Sequence, residues 1–205
     1  MTTPPRTIPL LRQFDFAAKR LADRMIGPVV DSGNGTNVEV TPMTDEEYFW
    51  EPVPGCLSVR RRSDGPGPQA EFLTGAGDWG RDALAEPPSP APFTTIAWRL
   101  SHLTELLVLR AEYTVGGRTL TRDEHPVAGD AVGAVAAFGT AVKAWREALV
   151  GADDAALDTV GHSSYPYGSD PEEPFLEIVW WVNQELLHHG AEIALLRDLH
   201  RAHRH

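Results

Sequence analysis

The stretch that most restricts the fold is the last one. From about 173 to 199 or beyond, Phe175, Ile178, Val179, Val182, Leu186, Ile193 and Leu196 recur at helical steps, and this is the longest element the sequence offers. A helix with such a stripe must bury it against other helices. Glu172 and Glu173 suit the positive end of its dipole, and Arg197, Arg201 and Arg204 suit the opposite end.

Three further stretches can supply partners. Leu11, Phe14, Ala18, Leu21 and Met25 step by three or four, with Arg12, Asp15, Lys19 and Arg20 mostly elsewhere, which predicts helix one over roughly 8–27, ended by Gly27-Pro28. Four prolines within 85–92 hold the chain extended, so helix two starts near 94 and runs to about 113 with Ile96, Leu100, Leu103, Leu106, Leu107 and Val108. After His125-Pro126 a small-residue helix carries Val132, Val135, Phe138, Ala141, Val142, Trp145 and Leu149, with Gly151 as its stop; its alanines and glycines predict close packing. Residues 152–158 read as a further turn before the loop 161–168, whose His162 is expected to face solvent.

The connection between helices one and two is less regular. Residues 31–36 are dense in turn formers, and Thr44 with Glu47 predicts a capping box for a short helix ending near Trp50. Leu57-Ser-Val59 and Glu71-Phe-Leu73 are β-compatible, as a small hairpin or an irregular excursion. Four substantial helices without strand alternation predict an all-α fold: a four-helix bundle with a long, partly irregular connection between helices one and two. At 205 residues the chain reads as a single domain, 1–205.

Charge and cysteine content narrow the function. A net charge of −11, with Arg60-Arg61-Arg62 as the one basic cluster, argues against nucleic-acid binding; that triplet reads as a solvated edge. A single cysteine, Cys56, excludes an intrachain disulfide framework, has no basic neighbour in sequence to activate it, and reads as a small buried hydrophobe. No stretch is apolar enough to cross a bilayer, so the expectation is a cytoplasmic protein without a membrane partner.

Within the last helix, Glu185 and His189 are four residues apart, as are His188 and Glu192, so each pair lies on nearly one face. A carboxylate and an imidazole one turn apart can share a divalent cation if a third ligand arrives from another helix. His102 is the one histidine on helix two. Alone it reads as a core-edge histidine bonded to a carbonyl or water; in a bundle that brings it near Glu185 and His189 it completes an interhelical site.

Thr94-Thr-Ile-Ala-Trp-Arg-Leu-Ser-His-Leu103, the stretch Glu185-Leu-Leu-His-His-Gly-Ala-Glu192 with its continuation to Leu199, and the segment Asp45 to Cys56 together resemble the DinB-like superfamily of metalloenzymes, over nearly the whole chain. The resemblance implies a four-helix bundle, often a homodimer, whose metal is held by one histidine of helix two and two histidines four residues apart on the last helix. His102 and His189 match two of these positions. Glu185 stands where the family has the remaining histidine. Glutamate is a competent ligand for Zn²⁺, Mn²⁺, Fe²⁺ or Ni²⁺, so the resemblance implies His102, Glu185 and His189 as the ligand set; the alternative is a metal-free bundle in which Glu185 hydrogen-bonds the histidines. His188 is a substitute ligand about 100° away from His189.

Branches of the superfamily use low-molecular-weight thiols. A cation with an open position lowers a thiol's pKa, and the resemblance therefore implies a metal-dependent thiol S-transferase acting on a small-molecule substrate. Glu192 and Glu105 are weaker candidates for supporting or acid–base roles, each also readable as a surface charge, and Trp98, Trp180 and Trp181 are candidate pocket walls or core residues. Two other readings stay open: a metal-dependent hydrolase, and a non-catalytic binding or regulatory protein with a lost or structural metal site.

Overall fold

The computed structural model describes residues 4–27, 29–31, 37–39, 41–86, 88–164 and 172–204. Of the expected connecting segments, residues 32–36 and 165–168 lie outside the described residues. Four long helices dominate: α1 (Thr7–Ile26), α3 (Ile96–Val115), α4 (Ala131–Gly151) and α6 (Phe175–His203). Two short helices, α2 (Asp45–Tyr48) and α5 (Asp154–Leu157), lie between them. The long helices pack in cyclic order, α1 on α6, α6 on α3, α3 on α4 and α4 on α1.

Their boundaries follow local chemistry. Gly27 takes φ 61° and returns its N–H to the Asp23 carbonyl, which ends α1 in a conformation that glycine adopts without penalty. Thr95 caps α3 by accepting from the Trp98 N–H at 3.2 Å, and Asp130 caps α4 by accepting from the Gly133 N–H at 2.6 Å. The last helix starts at Phe175, so Glu172 and Glu173 precede it and Glu177 is the acid in its first turn. The core is built from the expected stripes: Phe14, Leu21 and Met25 of α1, Leu100, Leu103 and Leu107 of α3, Phe138 and Trp145 of α4, and Phe175, Ile178, Val182, Leu186 and Ile193 of α6. On α4 the small residues Ala131, Ala134, Ala141 and Ala148 are all buried, and its pairing with α3 is the most extensive of the four. Val132, expected in that stripe, is exposed because Ala131 and Ala134 take the inward positions of the first turn.

The all-α expectation needs correction in the connection. Strands β1 (Val29–Asp31) and β2 (Asn37–Glu39) pair antiparallel, and β3 (Val59–Arg61), β4 (Phe72–Thr74) and β5 (Trp79–Ala83) form a three-stranded antiparallel sheet in the order β3-β5-β4. The two β-compatible pieces do not form a hairpin with each other. Both pair with β5, Val59 opposite Arg81 and Thr74 opposite Arg81 on its other side. Period-two patterning cannot reveal β5, because its residues Gly80, Arg81 and Asp82 are buried although two of them are charged. Asp82 is satisfied by the Ser58 N–H, the Gly67 N–H and Arg60 Nε, each at 2.9 Å. The Arg60-Arg61-Arg62 triplet is accordingly a structural edge: Arg60 also reaches Glu51, Arg61 lies over the Trp79 ring at 4.7 Å, and Arg62 donates to the Gly75 and Gly77 carbonyls.

Only half of the predicted capping box forms. Thr44 accepts from the Glu47 N–H at 3.3 Å, but the Glu47 carboxylate turns inward to Arg197, whose Nε and Nη2 donate at 2.6 and 2.8 Å. Arg197 also donates to the carbonyls of Arg24 and Thr41. This buried fork joins α6 to α2 and to the end of α1, so Arg197 is an internal tie, contrary to its expected place as a charge at the helix end. Removing one partner strands a buried charge: Arg197→Ala is expected to lower unfolding free energy by about 3–5 kcal/mol, whereas Arg197→Met combined with Glu47→Leu recovers most of it. Urea denaturation at pH 7 measures both, and a loss under about 1 kcal/mol for Arg197→Ala would contradict the assignment.

Candidate metal centre

Helices α3 and α6 bring the expected residues together. His102 Nε2 is 3.5 Å from Glu185 Oε2, and His189 Nε2 is 3.2 Å from the same oxygen. The imidazole rings of His102 and His189 meet edge to face with centroids 4.9 Å apart. One ligand atom from each of the three residues falls within 4.8 Å of the others. Two atoms that each lie 2.0–2.1 Å from one tetrahedral ion are about 3.4 Å from each other, so the Glu185 distances suit a His₂Glu donor set.

Local structure sets each ring. Trp98, one turn before His102, stacks on it at 5.3 Å and 22°, and its indole Nε1 donates to the Asp82 carbonyl of β5 at 2.8 Å. The sheet therefore fixes the tryptophan that flattens His102 in place. His189 is held from its far side: Nδ1 is 2.6 Å from Glu192 Oε2, leaving Nε2 for Glu185. Arg99 Nε reaches the same Glu192 oxygen at 3.1 Å, and His188 Nε2 lies 3.3 Å from Glu192 Oε1.

The charge states alternate across the cluster. Burial pushes the His102 imidazole down to about 4, against the opposing pull of Glu185, so it is neutral. Hydrogen bonds from His102 and His189 hold the Glu185 carboxyl well below the usual carboxylate range. Burial opposes protonation of His189, but Glu185 and Glu192 outweigh it and raise its pKa. A cation entering between these groups competes with the proton on His189.

Other candidates separate clearly. Glu105 is buried, with Oε2 2.8 Å from Arg81 Nη2 and Oε1 3.3 Å from Arg122 Nε, and Glu192 is half-buried in the ion pairs above, so neither is a plain surface charge. Trp180 is exposed, and Trp181 lies under Arg110 at 5.0 Å; neither joins Trp98 at the site. His188 is exposed and shares a second candidate group with His189 and Glu192. Cys56 is buried, donates to the Val53 carbonyl at 3.0 Å, and burial raises its thiol pKa, which fits the expected inert role. His162 packs against Phe175 at 4.7 Å and is partly buried, so it meets solvent with only part of its ring.

A cleft of about 350 Å³ opens on His102, walled by Trp98, Arg99, Arg81, Arg122, Leu57 and the proline segment at Pro92. Residues that sequence reasoning passed over, Arg81, Arg99 and Arg122, supply its charge. Their positions in β5, beside Trp98 and after α3 carry no spacing signal that links them.

With this geometry in place, the comparison with protein families is specific. The family model described as DinB superfamily matches residues 32–193, which include all of α3 and the part of α6 bearing Glu185 and His189, and the chain belongs to that superfamily. Neither the curated proteins nor the solved structures compared with it gave a match. No helix among the described residues is long and apolar enough to cross a membrane.

The alternating charges predict opposite titrations on the two rings. In metal-free protein His102 should stay neutral until the pH nears about 4, and His189 should stay protonated above the ordinary histidine value of 6.5. By linkage, the stability that His102 contributes is complete above pH 6.5 and is lost as pH falls towards 4. That of His189 is complete below 6.5 and is lost as pH rises through its raised value. Imidazole carbon shifts followed by NMR report both, and Glu185→Gln should move the His189 titration down; an unmoved His189 curve would dissociate the pair.

Proposed function

We propose that the chain is a divalent-metal-dependent enzyme of the DinB superfamily, with His102, Glu185 and His189 as ligands. The observation that carries this reading is convergence: two imidazoles and a carboxylate from two helices aim at one point, with a cleft open on the His102 side. The donor set fits Zn²⁺, Mn²⁺, Fe²⁺ or Ni²⁺, and three protein ligands leave a position for a reactant. When bound, such a cation supplies Lewis acidity and lowers the pKa of a coordinating thiol or water.

The chain's own residues have distinct tasks in this reading. Glu192 holds the His189 ring by Nδ1, so that Nε2 is presented to the site. Trp98 covers one face of His102 and forms an apolar wall of the cleft against which a small substrate packs. Arg99 balances Glu192, and its place in the cleft wall puts a cation beside the reacting region. Cys56, the only cysteine, is buried and is no nucleophile, so sulfur chemistry here requires a low-molecular-weight thiol as cosubstrate. We read the activity as thiol S-transfer to an electrophilic small molecule, carried out by one domain in the cytoplasm, with a homodimer as the expected assembly.

Metal analysis after reconstitution with each of the four ions tests the centre. About one equivalent is expected, falling below a tenth in His102→Ala and His189→Ala. Binding below a tenth of an equivalent in the native protein would sink the enzyme reading and favour a non-catalytic binding protein. With metal bound, turnover of electrophilic substrates should require added thiol; equal turnover without thiol would assign a hydrolase instead.

A further inference from the structure

Among the described residues that line the cleft, Arg81 alone is deeply buried and still has an unused side-chain donor. It is 6% exposed, Nη2 is 2.8 Å from Glu105 Oε2, and Nη1 has no hydrogen-bond partner. The backbone cannot withdraw it. Arg81 is the middle residue of β5, opposite Val59 of β3 on one side and Thr74 of β4 on the other. Its guanidinium lies 5.4 Å over the Trp98 ring, the same ring that stacks on His102. Glu105 and Trp98 thus hold the planar fork in one orientation, and Nη1 is the nitrogen they leave over.

A buried N–H without an acceptor is unfavourable, and a ligand atom that accepts from it relieves the cost. The chemistry of the cleft narrows what that atom is. Leu57, Leu84, Pro92 and Trp98 make much of the wall apolar, which suits a ligand with an apolar body and few polar groups. A net charge of −11 repels anions at long range, and the Arg81 charge already faces the Glu105 carboxylate, so the hydrogen bond on offer favours a neutral acceptor. A hydroxyl would bring a proton that needs its own acceptor among apolar walls; a carbonyl oxygen accepts and brings none. The volume of about 350 Å³ admits a small molecule.

We propose that Arg81 Nη1 donates to a neutral carbonyl oxygen of the substrate, so that the cleft selects small ketones and esters over carboxylates. Trp98 carries the body of the molecule and, since its ring stacks on His102, places it beside the candidate metal centre. Its role as substrate rests on the metal-enzyme reading; the carbonyl subsite does not require a metal. Cyclohexanone isotope-labelled at the carbonyl carbon, with cyclohexanecarboxylate as its anionic counterpart, tests the subsite in metal-free and zinc-loaded protein. Cyclohexanone should saturate in both forms, shift the Trp98 indole N–H resonance, and show a bound carbonyl band at lower infrared frequency than in cyclohexane. The carboxylate should bind about tenfold more weakly or not at all. Arg81→Met combined with Glu105→Leu removes the buried pair together; it should weaken cyclohexanone about tenfold and return the band to its apolar-solvent position. Cyclohexanone that fails to bind the native chain, or binds it with the band at the apolar-solvent position, overturns the proposal without recourse to the variant. Unchanged affinity in the folded double variant overturns it as well, and a carboxylate that binds more tightly than the ketone overturns the choice of a neutral acceptor. Zinc uptake without cyclohexanone binding removes the subsite and leaves the metal-enzyme reading. Cyclohexanone binding with the lowered band in a protein that takes up no metal supports the subsite and removes only that reading.

Discussion

The Glu185 carboxylate lies between two imidazoles drawn from different helices, and this contact governs how α3 and α6 face each other at the level of the site. Titratable groups placed between buried apolar residues such as Leu103 and Leu186 are tolerated when neighbouring charges alternate. Here a neutral His102 is followed by anionic Glu185, cationic His189, anionic Glu192 and cationic Arg99. Each member limits the cost of its neighbour, and the row begins at His102 and ends at Arg99, both on α3 and both in the cleft wall. A glutamate at position 185 is thus compatible with the surroundings: it gives the two rings a common acceptor.

The sheet contributes to this arrangement from a distance. Its central strand β5 offers the Asp82 carbonyl to Trp98 and the Arg81 guanidinium to Glu105, so one strand positions both the ring that stacks on His102 and the charge of the cleft. Asp82 in turn holds β3 and the turn at Gly67 through its side chain. A chain that kept the four long helices without this connection would retain His102, Glu185 and His189 and lose the wall beside them.

How much was legible in the sequence depended on whether a residue's partner lies one helical turn away or far along the chain. Glu185 and His189 declare themselves by spacing, and His102 stands out as the one histidine in an apolar helix. The four long helices were legible for the same reason, since their core stripes are local patterns. Strand β5 was not, because burial of Arg81 and Asp82 is stabilised by Glu105, Arg60 and backbone groups that no periodicity connects to it. Glu47 shows the same limit: local chemistry assigns it to a cap, and an arginine 150 residues later takes its side chain instead.

That arginine has a mechanical consequence for the centre. Arg197 lies eight residues beyond His189 on α6, about 12 Å along the helix axis. Its fork is seated against one carboxylate and two fixed carbonyls, so it works as a key in a slot. Sliding α6 by a single residue would shift the helix by about 1.5 Å and turn it by about 100°, and the key would no longer fit. The azimuth at which Glu185 and His189 approach α3 is therefore locked from outside the site. Were ions of different radius to bind between these residues, side-chain torsions would be the first freedom available to accommodate them.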